Sequence, residues 1–205
     1  MPTEEPAPRS GNWWDDVLSP YPGWMPEDEG RAYESHVAGQ FVNAMSALAA
    51  SVCVIAATNP TTGERFGMTA TAVCSLSTEP PQLVVCLNRN ASVAGALTST
   101  GWLTVNILAQ DQADLAGVFA GRGGLAGEAR FAHGSWRNHT TGAPVLEGSS
   151  ATCVCHVSAK LQQATHLLVV GTVIDAIVDQ EPPRPPLMYH LRRFTELAPA
   201  HPQDQ

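Results

Sequence analysis

Closely spaced strand signals occupy most of the middle of this chain and limit the folds available to it. Short apolar runs alternate with turn-forming residues, and the segment 59–63, with Pro60 and Gly63, is typical of a hairpin loop. Strict strand–helix alternation is missing, which argues against a doubly wound sheet and favours a mainly β barrel with short helical insertions. Strands are predicted at 51–58, 66–76, 82–87, 102–108, 152–161, 166–178 and 187–190.

Three segments have the periodicity of helices. Apolar residues recur at three- and four-residue steps from His36 to Ala49, which predicts a helix there. Shorter helices are predicted at 92–99 and 111–120. Acidic residues lie in the first turn of the last one, where their charge favours the helix dipole.

Prolines mark the limits of the folded domain. Six of the 16 prolines lie in residues 1–26 and six lie from residue 182 onward, so only four interrupt the body. We expect an acidic, proline- and aromatic-rich N-terminal arm at 1–34, a compact domain at 35–197 and a C-terminal tail at 198–205. The arm either packs over its own domain or a partner subunit, or is a loose tail; its aromatic residues are Trp13, Trp14, Tyr21, Trp24 and Tyr33.

The negative charge of the chain is concentrated in this arm. Of a formal net charge of −8, residues 1–34 contribute eight acids and two bases. The rest holds 11 acids and 9 bases with a single lysine, Lys160, so no nucleic-acid-binding surface is expected. The longest aliphatic run, Val52 to Ala57, is far shorter than the roughly 18 residues of a membrane helix. With no secretory signal pattern, we expect a cytoplasmic protein that does not bind a membrane.

The five cysteines are expected to be reduced thiols that pack as small apolar groups. Their number is odd, and no C-x-x-C pair occurs. Cys153 and Cys155 would share one face of a strand, with His156 on the other, which is a poor geometry for zinc. No metal site is therefore predicted.

Two segments have the residue types of a ligand-binding surface. Gly67 to Ser77 combines small side chains, against which a flat ligand can lie, with hydroxyls that can bond to ring carbonyls and nitrogens; threonine is also common in ordinary strands. Asn88 to Ser92 precedes a predicted helix, whose first amides, with Arg89, suit a phosphate. Ordinary helix capping by Asn90 or Ser92 is the alternative.

Two further segments have more than one interpretation. The glycine-rich stretch 119–124 is either a helix C-cap or a loop that brings Arg122 toward an anion, and it fits no nucleotide-binding fingerprint. His166, at the start of a predicted strand, is either structural or able to bond a ligand and transfer a proton. No nucleophile–base arrangement or carboxylate pair has a recognisable spacing, so hydrolytic catalysis is not predicted.

Taken in order, the motifs of residues 36–197 resemble those of the flavin reductase family. These proteins are FMN-binding split barrels that serve as reductase components of two-component flavin monooxygenases. The motifs that carry the resemblance are Phe41–Met45, Gly67–Ala72, Ser75–Pro81, Leu83–Arg89, Val105–Leu108, Asp111–Gln112, Phe119–Gly121, Gly142–Gly148, His166 with Gly171–Val173, and Pro186–Tyr189.

The resemblance implies a Greek-key split β-barrel and an NAD(P)H:flavin oxidoreductase. The flavin would be FMN or FAD, and the co-substrate NADH or NADPH. A hydride would pass directly from the nicotinamide to flavin N5, and the reduced flavin would diffuse to a separate monooxygenase. The family further implies a homodimer with the flavin near the subunit interface.

The resemblance also implies roles for individual residues. His166 is the catalytic residue and faces the nicotinamide. It places the flavin ring along Thr69, Ala70, Thr71, Ala72 and Val73, with Ser75 and Leu76 nearby. It places the ribityl phosphate at Asn90, Ala91 and Ser92, with Arg122 and Gly123 close to it. It places the nicotinamide nucleotide along His166, Tyr189, His190, Leu191 and Arg192.

Two other functions remain open on the same scaffold. One is an enzyme of another class that acts on a small metabolite, with tightly held FMN or with no flavin. The other is a flavin-binding or flavin-storage protein without turnover.

Overall fold

The computed structural model describes residues 35–198. The chain divides into two compact units, residues 1–44 and 45–205. Helix α1, Ser35–Ser46, begins in the first unit and overlaps the helix predicted at His36–Ala49. The predicted arm, 1–34, and residues 199–205 of the predicted tail lie outside the described residues.

The second unit is built mainly of β-strands, which confirms the predicted fold class. Its helices are α2 (Ser92–Ser99), α3 (Ala113–Phe119) and the 3-10 turns Arg122–Gly124 and Gly127–Ala132. Its strands are β1 (Ala50–Ser51), β2 (Cys53–Thr58), β3 (Arg65–Ala70), β4 (Val73–Thr78), β5 (Pro81–Asn88), β6 (Trp102–Ile107), β7 (Trp136–Asn138), β8 (Pro144–Leu146), β9 (Ala151–Gln163), β10 (His166–Ile177), β11 (Met188–His190) and β12 (Arg193–Thr195).

Seven antiparallel strands form the main sheet, in the order β3-β2-β6-β9-β10-β5-β4. The single strand predicted at 66–76 is wrong, because Thr71 and Ala72 separate β3 from β4. These two strands are the opposite edges of the sheet, yet only two residues join them. The two edges must therefore lie next to each other, and the sheet curls into a barrel. Within residues 35–198, β3 and β4 are neighbours in this barrel without being paired by a β-ladder.

Both faces of β2 are buried, which explains why its sequence is apolar without alternation. One face belongs to the inner cluster, whose members come from all seven strands of the sheet and from α2. The other face belongs to the outer cluster, which includes α3, β8 and the ring of Tyr189. From β2, Cys53, Ile55 and Ala57 join the inner cluster, and Val54 and Ala56 join the outer one.

A buried polar network lies on the outer face of β6. The side-chain amide of Asn106 is fully buried and donates hydrogen bonds to the Val54 carbonyl, at 3.1 Å, and to Thr104 Oγ1, at 3.0 Å. Its oxygen accepts the Leu146 N–H, at 2.9 Å, and the Thr152 hydroxyl, at 3.0 Å. An amide has two donor hydrogens and two acceptor lone pairs, so Asn106 is fully satisfied while it ties β8 to β2 and β9 of the main sheet.

We expect Asn106→Ala to lower the free energy of unfolding by about 3 kcal/mol. The substitution leaves the buried Leu146 N–H and Thr152 hydroxyl without an acceptor, and each such loss costs about 1–3 kcal/mol. Urea unfolding measures the change. Asn138→Ala, at an exposed position of β7, is the control and should change the value by less than about 0.5 kcal/mol. An Asn106→Ala protein as stable as the wild type would contradict the structural role of the network.

Candidate functional site

A cavity of about 1000 Å³ lies beside the junction of β3 and β4. Its walls combine hydroxyl and apolar side chains, and no Asp, Glu, Lys, Arg or His is among its lining residues within the described chain. The cavity therefore suits the uncharged part of a ligand, such as a ring system whose atoms accept or donate hydrogen bonds. It is lined by Met45, Leu48, Ala49, Ala50, Ser51, Cys53, Thr71, Ala72, Val73, Cys74, Ser75, Ser77, Thr78, Pro81, Gln82, Leu83, Val84, Cys86, Val105, Ile107, Cys153 and Val173.

The end of β3 decides which residues of the small-residue segment reach the cavity. Thr69 lies on the outer side of the strand, and its hydroxyl donates to the Ala116 carbonyl of α3, at 2.7 Å. Ala70 is buried in the inner cluster. The chain leaves the ladder only after Ala70, so Thr71 is the first residue of the segment that lines the cavity.

Of the residues predicted along the flavin ring, four line this cavity. They are Thr71, Ala72, Val73 and Ser75. Leu76 is exposed, with 54% of its surface accessible, and is not part of the wall.

Close packing holds β3 against α3 at Gly67. A Cβ at this position would lie 2.6 Å from Phe119 Cε1, so only glycine lets the strand approach the ring so closely. The Gly67 carbonyl accepts a hydrogen bond from Arg130, at 3.0 Å, and the Arg130 Nε donates to the Leu125 carbonyl, at 2.9 Å. At the start of β3, the hydrogen-bonded guanidinium of Arg65 lowers the pKa of the Glu128 carboxyl.

The turn between β5 and α2 holds the residues predicted at the phosphate. Asn88 Oδ1 accepts the Asn90 N–H, at 2.9 Å, and Ala91 is the N-cap residue without a side-chain capping bond. Asn90 and Ser92 are exposed. The first amides of α2 therefore have no side-chain partner from their own cap, which is the condition for anion binding at a helix N-terminus.

His166 lies beside this turn. It pairs with Asn88 across β10 and β5, and the Arg89 N–H donates to the Thr165 carbonyl, at 3.1 Å. Two residues further along β10, Leu168 lies opposite Cys86, which lines the cavity. Because side chains alternate along a strand, His166 and the Cys86 wall share one face of the sheet.

The residues predicted around the nicotinamide lie on the β11–β12 hairpin. Tyr189 pairs with Ala50, which lines the cavity, and its ring packs against the ring of Phe194, with 5.6 Å between centroids. Leu191 and Arg192 form the turn with positive φ values of 48° and 62°, and the Leu191 N–H donates to the Ser46 carbonyl, at 2.8 Å. The partly buried His190 pairs with Arg193 across the hairpin.

Arg122 and Gly123 are not part of the turn before α2. They follow α3, which packs in the outer cluster, whereas α2 packs in the inner one. The Arg122 guanidinium lies over the Phe194 ring, 5.4 Å from its centroid, and Gly123 has a φ of 77°. The structure thus places Arg122 beside the β11–β12 hairpin, and the role of both residues at the phosphate stays a prediction.

Four thiols in the cavity wall were not singled out as site residues by sequence reasoning. They belong to Cys53, Cys74, Cys86 and Cys153. Burial raises the pKa of Cys53 to about 12, with a smaller contribution from nearby Cys153, whose own pKa burial also raises. Cys74 is exposed. The sequence predicts that all four cysteines lie in strands, but which face of each strand lines the cavity depends on the sheet register, which the sequence does not show.

Comparison with known proteins identifies the family. The model of the flavin reductase like domain matches residues 45–198. The chain belongs to the flavin reductase family. The recognition made from its motifs is confirmed.

Similar proteins in this family carry reductase names. The FMN reductase (NADH) RutF of Pseudomonas syringae is 41% identical over 157 residues, which cover 77% of this chain and 85% of that protein. The 4-hydroxyphenylacetate 3-monooxygenase reductase component of Salmonella typhi is 36% identical over 155 residues, 76% of this chain and 89% of that protein.

Solved structures of flavin reductases share the fold. Flavin reductase PheA2 superposes with a TM-score of 0.69 at 29% identity, covering 78% of this chain and 97% of that one. BorF, the flavin reductase component of a bacterial two-component tryptophan halogenase, gives a TM-score of 0.70 at 27% identity, covering 78% and 98%. The split-barrel fold expected from the resemblance is therefore confirmed. Among the described residues, no helix is both long and apolar enough to span a membrane.

In this flavin reductase family member, we expect Cys74 to be the first thiol alkylated by N-ethylmaleimide. The thiolate is the reactive form, and burial that raises the pKa of Cys53 and Cys155 to about 12 leaves these two protonated and unreactive near neutral pH. Peptide mass mapping of a labelling time course measures the order. Cys74→Ser should remove the fast phase, and native-state labelling of Cys53 as fast as that of Cys74 would contradict the cavity geometry.

Proposed function

We propose that this chain is an NAD(P)H-dependent flavin reductase that supplies reduced FMN or FAD to a separate monooxygenase. The observation that carries the proposal is the uncharged, hydroxyl-bearing cavity whose β5 wall continues, on one face of the sheet, to His166 and to Asn88, which begins the turn before α2. A neutral surface next to an anion-binding turn fits a molecule with a flat uncharged ring and a phosphorylated tail.

The cavity wall has the groups that an isoalloxazine ring needs. Ala72 and Val73 are small enough for a flat ring to lie against the backbone, and the hydroxyls of Thr71 and Ser75 can bond to ring carbonyls and nitrogens. Hydroxyls and amides near the pyrimidine edge would also stabilise negative charge that develops there. The cavity volume of about 1000 Å³ is sufficient for a ligand of this size.

The turn before α2 has the groups for the phosphate. Ala91 offers no side-chain cap, so the Ser92 and Val93 amides are available to an anion, whereas the Ala94 N–H donates to the Ala91 carbonyl, at 3.0 Å. Asn90 and Ser92 add exposed polar side chains. The side chain of Arg89 is exposed in the same turn and adds positive charge. Together these groups would hold the ribityl phosphate.

His166 is proposed to act on the nicotinamide side. Its Nδ1 lies 2.9 Å from Thr165 Oγ1, an interaction that orients the ring and leaves Nε2 for the co-substrate. A flavin held by these residues would supply the acceptor for the nicotinamide hydride. The chain's own contribution is to orient the reactants with His166 and the cavity wall, and to exclude water from the apolar surface between them.

The relatives support a partner protein. One is named as the reductase component of a monooxygenase, and one as the reductase component of a halogenase. By analogy, the reduced flavin made here would pass to a separate oxygenase. NADH is the co-substrate in the name of the Pseudomonas relative, which favours NADH over NADPH.

We expect the purified chain to oxidise NADH only when FMN, FAD or riboflavin is added. His166→Ala should lower kcat/KM for NADH about tenfold or more, because a positioned histidine is lost from the nicotinamide side. The matched control is His156→Ala, an exposed histidine on β9 that packs on Trp102, and it should keep full activity. Absence of NADH and NADPH oxidation with all three flavins would contradict the proposal, and a yellow protein with no response to NADH would favour flavin storage or another enzyme class.

We further expect a homodimer. Met45 and Leu48 line the cavity yet have 48% and 63% of their surface accessible, and Ile174 has 48%, so large apolar side chains remain for a second subunit to cover. Light scattering should give a mass about twice 21.7 kDa. A mass near that of one chain would contradict the dimer.

A further inference from the structure

Helix α2 has little intrinsic stability, so contacts from the sheet must fix it. It is eight residues long, with Gly95 in its interior and β-branched Val93 in its first turn. Its first turn has no acidic residue, its last turn has no basic residue, and its N-cap makes no side-chain bond. The helix that carries the proposed phosphate turn is therefore held by the rest of the fold.

Apolar burial supplies only part of this hold. Val93 and Leu97 are fully buried in the inner cluster, and Ala94 is nearly so. Hydrophobic contacts are not directional, so they set how deep the helix lies and leave its position along its own axis poorly fixed. A directional bond at one end would determine how far the first turn projects at the other.

Lys160 supplies such a bond because of an irregularity in β9. Val157 lies opposite Gly171 and Ala159 lies opposite Val170, so Ser158 is an extra residue in the ladder. The bulge reverses the alternation of β9 and places Lys160 opposite Val169, a member of the inner cluster. Without the bulge, Lys160 would lie on the other face of the strand.

The Lys160 ammonium group donates a hydrogen bond to the carbonyl of Leu97, in the last turn of α2. A cation at this end of a helix also favours the helix dipole, whose positive end is the first turn. Lys160 is the only lysine among the 205 residues.

We propose that Lys160 is a positioning residue for the flavin phosphate: it holds the C-terminal end of α2, and so keeps the first turn, with Ala91 and Ser92, in the position that receives the phosphate. The inference rests on the proposed function, because it needs a phosphorylated flavin at that turn. It predicts that Lys160 affects flavins with a phosphate and leaves riboflavin, which has the same ring and no phosphate, unaffected.

The test compares dissociation constants of FMN and riboflavin, measured by fluorescence titration of the full chain. Lys160→Met keeps the aliphatic stem and removes the charge. We expect it to weaken FMN binding about tenfold, the scale of one lost charged hydrogen bond, and to change riboflavin binding less than about twofold. Lys160→Arg, which keeps a cationic donor, should restore FMN binding to within about threefold of the wild type.

Control measurements separate a positioning role from a general loss of structure. Gln162→Met, two residues further along the same strand, should leave both constants unchanged. If Lys160→Met does not fold, Lys160→Leu, which likewise has no donor for the Leu97 carbonyl, takes its place in the comparison with the same expected results. Equal weakening of FMN and riboflavin, or no weakening of FMN, overturns the inference.

The wild-type protein shows which proposal has failed. If it binds FMN more tightly than riboflavin and Lys160→Met keeps that difference, the role of Lys160 is wrong and the proposed function stands. If the wild type binds neither flavin, the proposed function itself is wrong. If it binds both equally, the phosphate turn has no role and the inference falls with it.

Discussion

The buried side-chain amide of Asn106, on β6, makes hydrogen bonds to three other strands: β2, β8 and β9. The outer face of β6 is covered by β8, which belongs to a separate two-stranded sheet and leaves its Leu146 N–H facing a buried region. A buried backbone N–H needs a partner, and an apolar residue on β6 could not supply one. Asn106 accepts this N–H and also bonds to Val54 and Thr152. The position of β8 is therefore fixed by directional hydrogen bonds as well as by the packing of its side chains. The segment 142–148 is thereby fixed to the barrel.

The cavity exists because β3 is held tightly up to Ala70 and released immediately after it. Gly67 packs on the Phe119 ring, and the Thr69 hydroxyl bonds to the Ala116 carbonyl, so α3 fixes the outer side of the strand. Beyond Ala70 the chain must cross to the opposite edge of the sheet, and no ladder partner from residues 35–198 covers Thr71. The two-residue connection between β3 and β4 therefore explains both the gap between these strands and the small residues in the cavity wall.

Features that depend on local pattern could be predicted from the sequence, and those that depend on register could not. Helix α2 lies at the predicted positions 92–99, because its apolar period and the flanking residues are local signals. The break after Ala70 has no Gly or Pro to mark it, so the apolar and threonine-rich pattern of 66–76 reads as one strand.

The same distinction applies to the site. The resemblance named Thr71, Ala72, Val73 and Ser75, which line the cavity, together with Thr69, which alternation turns toward α3. It could not indicate Lys160, since the face on which this residue lies depends on the bulge at Ser158, an irregularity with no signature of its own in the sequence. A motif predicts which residue types occur at a site, whereas the face of the strand on which each residue lies depends on how the strands pair.

Strand β5 links the two halves of the proposed ligand site. Its residues Gln82, Leu83, Val84 and Cys86 contribute to the cavity wall, and Asn88 begins the turn before α2. Cys86 and Asn88 are two residues apart on one face, so the rigid strand separates ring wall and phosphate turn by about 7 Å. The opposite face of β5 packs in the inner cluster with Leu97 of α2. One core therefore supports both ends of the site, and the spacing between ring and phosphate is a property of the barrel's packing, not of flexible loops.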